Sequence, residues 1–265
     1  MIADQQLEQA QRIADAIAGL PGIVAVTLGG SVASGLADAA SDLDLHVYWR
    51  TSLALPQERV AYLNTIADPG SVIANILTWG LEDHFRVGGQ LVELVYVPLD
   101  DLQAEVEQAY GKGLISEGFT TARLYYLVQS KVLIDSAGEI GALRSQLQLA
   151  YPEPTRRLLL AHHPALLRFA LSNIRKGLVR NDLPFVQQSR SNVQMIYFNL
   201  LFALNRRYHP GEKRLLTHVA SFTILPHDFV ARWQAMLRVP NDNMLMVTML
   251  EALIVDFEQL LEDHQ

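Results

Sequence analysis

Residues 28–49 read LGGSVASGLADAASDLDLHVYW, and the reading of this stretch decides the fold. It runs as a strand end, a glycine turn, a short helix and a second strand that opens with two aspartates one residue apart. Strand periodicity puts Asp42, Asp44 and His46 on one face and Leu43, Leu45 and Val47 on the other. Two carboxylates at i and i+2 repel each other unless a cation lies between them, and paired hard oxygen ligands suit Mg²⁺. The plainer reading is an acidic surface hairpin with a glycine turn.

Upstream, Gly29-Gly30-Ser31 stands at a strand-to-helix turn, where bare backbone N–H groups and a hydroxyl approach a phosphate closely. Ten residues separate Ser31 from Asp42, and between them runs the pattern G-x-A-D-x-x-S-D-x-D-L. Together these features resemble the DNA polymerase β-type nucleotidyltransferase superfamily, and most closely its small-molecule branch, the aminoglycoside and lincosamide nucleotidyltransferases. The resemblance implies transfer of a nucleoside monophosphate from an NTP, with ATP the expected donor, to an acceptor hydroxyl, releasing pyrophosphate. It implies Mg²⁺, two ions being the expectation, held by Asp42 and Asp44, and terminal phosphates oriented by Gly30 and Ser31. The pattern departs at Ser34, where many members carry an arginine that touches the triphosphate.

Composition frames this reading. Half of the 265 residues are hydrophobic and 18% are charged, as in packed globular chains, and the absence of cysteine excludes disulfides, thiol nucleophiles and cysteine-ligated zinc. The first twenty residues are polar and acidic, unlike a signal peptide, and the apolar run from Met244 to Val255 is short and broken by Glu251, so a cytoplasmic protein without a membrane segment is expected. The net charge of −7 divides unevenly: residues 1–150 hold 8 Lys/Arg against 18 Asp/Glu, and residues 151–265 hold 13 against 10. A mildly basic half beside an acidic, carboxylate-bearing half suits metal-bound triphosphate. Nothing in an overall acidic chain advertises a nucleic-acid groove.

Along the chain, Leu7, Ile13, Ala14, Ile17 and Leu20 recur at helical spacing until Pro21-Gly22. Ile23–Leu28 is the expected central strand, Glu58–Ile66 a helix, and Asp68-Pro69-Gly70 a turn. Residues 72–79, 84–87 and 90–97 read as strands, the last two joined through a tight Gly88-Gly89 hairpin. In the final strand Glu93 interrupts an aliphatic run, and an acid there needs a partner. The superfamily places a third carboxylate on a neighbouring strand, so the resemblance makes Glu93 either a further metal ligand or the general base; an edge-strand glutamate facing solvent is the alternative. Helices are expected over Asp100–Tyr110 and Thr120–Val132, followed by a short VLID run.

Tyr151-Pro-Glu-Pro154 marks the expected boundary between an α/β nucleotidyltransferase domain, residues 1–150, and an all-α bundle, residues 151–265. The bundle's helices are expected at Arg156–Val179, Pro184–Asn205, Glu212–Ser221, His227–Leu237 and Asn243–Glu262. Between the second and third, Arg206, Arg207, Lys213 and Arg214 surround a Pro-Gly turn, and Lys213 is placed in the first turn of a helix, where backbone donors also favour anions. Similar Tyr-x-Pro-Gly-x-Lys segments of the small-molecule transferases make Lys213 a nucleotide contact by resemblance; a solvated interhelical loop is the other reading. Arg157-x4-His162 also matches the loose pattern of helical HEPN-type ribonucleases. His46 reads as a substrate contact or as a group that solvates the site, while Trp79, Trp233 and Tyr125-Tyr126 read as packing residues, the floor of a base pocket being their other reading. The chain is thus read as an α+β, Mg²⁺- and ATP-binding transferase acting on a small hydroxyl-bearing molecule such as an antibiotic. Two alternatives stand: a regulatory, antitoxin-like or protein-AMPylating module, and an RNA-acting enzyme.

Overall fold

In the computed structural model, residues 2–33, 35, 38, 41–77, 80–116 and 118–264 are described. Ser34 and Trp79 lie outside them. The fold is α+β, and the chain separates into two compact units: residues 1–107 with 126–150, and residues 108–125 with 151–265.

The first unit is a mixed six-stranded sheet with helices. Its elements are α1 (Ile2–Ile17), β1 (Ile23–Leu28), α2 (Gly30–Ala33), β2 (Leu43–Trp49), α3 (Pro56–Leu63), β3 (Ile73–Leu77), β4 (Leu81–Val87), β5 (Gln90–Pro98), most of α4 (Leu99–Gly111), part of α5 (Ala122–Gln129), β6 (Lys131–Asp135) and α6 (Glu139–Leu149). The strand order is β3-β4-β5-β2-β1-β6. β2 and β5 pair in parallel and the other pairs are antiparallel. One face of the sheet is core: Val26, Leu28, Leu43, Leu45, Val47, Phe85, Val92 and Leu94 pack with Ala10, Ile13, Ala14 and Ile17 of α1. Burying each large aliphatic contributes about 1.5–3 kcal/mol, and this fixes the register of β2 and β5 because a one-residue slip would turn those side chains to water.

Two local features pin the β3–β4–β5 side. Gly88 and Gly89 both have positive φ, 60° and 84°, as a two-residue turn between paired Val87 and Gln90 requires. Their N–H groups donate to the Asp68 carboxylate at 2.9 and 2.7 Å, which holds its pKa below the usual carboxylate range. On the core side, Asp83 is fully buried and accepts from Arg59 of α3 at 2.7 Å, while Arg59 also donates to Ala54 O and Asn75 Oδ1. Every charge-bearing atom of this pair therefore meets a partner.

The second unit is helical, with α7 (Glu153–Val179), α8 (Leu183–Leu204), α9 (Leu215–Val219), α10 (Phe229–Leu237) and α11 (Met244–His264). Tyr197, Phe198, Phe229, Trp233 and Phe257 form its aromatic centre. Residues 108–125 join it through hydrogen bonds that the boundary prolines do not announce. Asn199 of α8 accepts from Thr120 N at 3.1 Å and donates to Gly118 O at 2.6 Å, and Thr155 Oγ1 donates to Ala109 O at 2.8 Å.

Three local expectations are corrected. The helix expected over Thr120–Val132 is shorter, α5 ending at Gln129, because the β-branched run after Ser130 pairs with β1 as β6. α6 was not foreseen. Lys213 does not sit in a helix: Arg214 takes a left-handed φ of 57° as the residue preceding α9, so the helix begins only at Leu215 and lends Lys213 no backbone donors.

Candidate active site

The site is built where β1 turns into α2 beside the head of β2. Gly29 N donates to Asp44 O at 2.8 Å, which ties the turn to the second strand. Gly30 follows with φ +63°, and a Cβ there would lie 1.7 Å from Asp44 Oδ2. Only glycine meets both conditions, so the backbone of the turn is pressed directly against a carboxylate. Ser31 sits in the first turn of the short α2.

β2 delivers Asp44 because Leu43 and Leu45 on either side are fully buried. The parallel register sets Asp44 directly beside Glu93, and the antiparallel β4–β5 register sets Glu93 beside His84. Neighbouring strands lie about 4.8 Å apart, so Asp44, Glu93 and His84 form one row across the sheet. His84 Nε2 lies 3.1 Å from Glu82 Oε2 and 3.9 Å from Glu93 Oε1. His46 follows Asp44 on the same face, its ring 5.8 Å from that of Tyr126. His84 was missed at the sequence level because its place beside Glu93 depends on strand pairing, and Tyr126 was read as packing first, with the floor of a base pocket as the other reading.

Asp42 is exposed and precedes β2 by one residue. Among the described residues no three His, Asp or Glu side chains are gathered closely enough to hold a metal ion. What fits a hard cation is the pair Asp44 and Glu93 on adjacent strands, together with the glycine cradle that a Cβ would fill; Asp42 is not preformed as a third ligand. Like charges without a counterion swing apart, so a cage completed by the ion is the form this donor set allows.

Lys213 lies in the second unit, exposed, on the turn that follows α8. That turn is held from behind by His209, which is buried, stacked on Phe119 at 4.7 Å and tilted against Phe202 at 4.6 Å. His209 N donates to Thr121 Oγ1 at 2.8 Å, and its Nδ1 accepts from Gly211 N at 3.1 Å. Burial, with a smaller push from His218, takes the His209 imidazole down to about 3, so it is neutral with its proton on Nε2. Arg157 and His162 are both exposed and stand about 140° apart around α7, so they do not form the joint site that the ribonuclease-like spacing suggested.

Fold and site together describe an α+β chain whose sheet offers a carboxylate pair beside a glycine turn. A family model described as a domain of unknown function, DUF4037, matches residues 117–215. None of the curated proteins compared with the chain matches it. Among solved structures, the chain is similar to a nucleotidyltransferase-like protein from Exiguobacterium sibiricum 255-15, at 15% identity, covering 97% of this chain and 75% of that one with a TM-score of 0.47. It also matches the Thermotoga maritima CCA-adding enzyme complexed with tRNA, at 12% identity, 97% and 81% coverage and a TM-score of 0.31. A third match is CdnC in its HORMA complex from E. coli MS115-1, at 15% identity, 95% and 90% coverage and a TM-score of 0.31. At these scores the likeness is a resemblance only, and the functional reading stands on the site's own geometry. Among the described residues no helix is long and apolar enough to cross a membrane.

Proposed function

We propose that the chain is a Mg²⁺-dependent nucleotidyltransferase that moves a nucleoside monophosphate, from ATP in the first instance, to a hydroxyl of a small molecule such as an antibiotic. The observation that carries this reading is the contact of the Gly30 backbone with the Asp44 carboxylate, with Glu93 in register beside it. A turn whose backbone approaches within contact distance of a carboxylate brings phosphate-binding N–H groups and an anionic ligand pair to one point.

Asp44 and Glu93, joined by Asp42, are the residues that would hold Mg²⁺. Bound there, the metal would neutralise the triphosphate and ease departure of pyrophosphate. Gly30 and Ser31 orient the terminal phosphates through backbone and hydroxyl donors. The acceptor oxygen attacks the α-phosphorus as the bond to the bridging oxygen breaks and its electron pair leaves with pyrophosphate; Glu93, where it serves as base instead of metal ligand, takes the acceptor proton. His84 Nε2 is engaged by Glu82 Oε2 at 3.1 Å and stands 3.9 Å from Glu93 Oε1. Lys213 is proposed as a nucleotide contact on its charge alone, and unchanged affinity for Mg²⁺·ATP in Lys213→Ala would remove it.

The test is pyrophosphate release from ATP with a panel of small polyhydroxylated acceptors, aminoglycosides and lincosamides included. Turnover with at least one acceptor, abolished by Asp44→Asn with the fold intact, is the expected result. Turnover that survives Asp44→Asn contradicts the assignment.

A further inference from the structure

A groove of about 310 Å³ lies on the second unit, lined by Gln187, Arg190, Ser191 and Gln194 of α8 and by Leu237 and Asn241 beyond α10. The four α8 residues recur at i, i+3, i+4 and i+7 and so form one stripe. The lining contains no carboxylate. Arg190 is partly buried and has no acidic partner among the described residues; its neutral partners are Asn241 Oδ1 and Leu237 O, the latter at 3.2 Å. Burial holds its guanidinium below the ordinary value, the mark of a cation that has lost water without gaining an anion.

Asn241 Nδ2 is spent on Gln187 Oε1, but other donors remain around the guanidinium. Two of the five N–H groups of Arg190 are used by Asn241 and Leu237, which leaves three. The Ser191 hydroxyl donates to Gln187 O at 3.1 Å, in the manner of a serine facing its own helix, and remains able to turn outward. Gln194 makes no hydrogen bond among the described residues. A planar carboxylate is satisfied by a guanidinium fork alone, whereas a guanidinium, an amide and a hydroxyl arriving from separate positions suit the three oxygens of a phosphoryl group. The groove is large enough for more than the phosphate, and Leu237 supplies an apolar wall for the body that carries it.

We infer that this groove binds the phosphoryl group of a small metabolite, with Arg190 as its counter-cation and Gln194 and Ser191 as co-ligands. All its residues belong to the second unit and none is part of the carboxylate row, so the inference does not rest on that row transferring nucleotides.

The experiment is a titration of the full-length, ¹⁵N-labelled chain with inorganic phosphate, reading the Arg190 Nε–H and the Gln194 side-chain amide. Both should shift and saturate, and both should shift equally in Asp44→Asn, which separates this groove from the sheet. Gln194→Ala leaves the tethers to Asn241 and Leu237 in place and should weaken phosphate about tenfold, the loss expected for one hydrogen bond to a charged ligand. Arg190→Gln should remove saturation altogether; should that variant fail to fold, Gln194→Ala decides alone. Shifts reproduced by sodium chloride at equal ionic strength, undiminished affinity in Gln194→Ala, or self-association through this face with no response to phosphate would each overturn the inference.

Discussion

Replacing Gly30 by alanine tests how closely the turn is pressed on the carboxylate. The backbone there has φ +63°, and the new Cβ would fall 1.7 Å from Asp44 Oδ2 and 3.3 Å from Asp44 Cβ. The left-handed conformation costs an alanine about 1–2 kcal/mol. Driving the Asp44 carboxylate from its rotamer adds about 0.5–1.5 kcal/mol, so the substitution should destabilise the first unit by roughly 1.5–3.5 kcal/mol in all. Native-state hydrogen exchange of the β2 and β5 amides reads that unit without mixing in the helical one. The two contributions separate in a double-mutant cycle. With Asp44→Ala as background the clash with the carboxylate is gone and the backbone cost and the 3.3 Å approach to Cβ remain, leaving a coupling of about 0.5–1.5 kcal/mol. Gly30→Ala should also weaken Mg²⁺ although every carboxylate is still present. A Gly30→Ala cost that is the same in both backgrounds would refute the contact between turn and carboxylate.

Breaking the buried Arg59–Asp83 pair by Asp83→Ala should cost about 3–5 kcal/mol, measured by chemical denaturation, whereas Arg59→Met with Asp83→Leu should recover most of it; a mild effect of the single change would mean the pair is solvated. His209 has a folded pKa near 3 against an unfolded value of about 6.5, so the unfolded chain binds the extra proton and stability falls as pH drops through that window. The contribution is on the order of 5 kcal/mol over the full window, and His163 and His218, both lowered by burial, act in the same direction. Thermal melts of His209→Phe between pH 7 and 4 should show a flatter slope than wild type; equal slopes would deny the buried neutral imidazole. Glu93→Gln separates base from ligand: retained Mg²⁺·ATP binding with lost turnover marks the base, joint loss marks the ligand, and wild-type turnover places Glu93 outside the site.

What was legible in the sequence was what local pattern controls. The alternation of Leu43, Leu45 and Val47 with Asp44 and His46 is an i+2 regularity, and it reappears as a strand with one buried face. Gly88-Gly89 likewise announces its hairpin through backbone demands alone. The row Asp44–Glu93–His84 is different, since it joins three strands whose order and register are properties of the folded sheet. His84 could be found from sequence only by a correct pairing of β4 with β5. The docking of residues 108–125 on the helical unit depends on Asn199 and Thr155, tens of residues away, and no boundary proline encodes it. Lys213 was misplaced for a subtler reason: Pro210-Gly211 followed by a charged run reads as a helix start, and only the left-handed Arg214 shows that the helix waits until Leu215.

The central claim is that Asp44 and its neighbours bind a nucleoside triphosphate through a divalent ion. Calorimetric titration of the wild-type chain and Asp44→Asn with a non-hydrolysable ATP analogue, in Mg²⁺ and in EDTA, tests it most directly. Asp44 and Glu93 repel an uncompensated triphosphate, so the account predicts binding by the wild type in Mg²⁺, at least about tenfold weaker binding in EDTA, and loss of that difference in Asp44→Asn. Equal affinity in the two buffers, or a Mg²⁺ dependence that Asp44→Asn leaves intact, would contradict it.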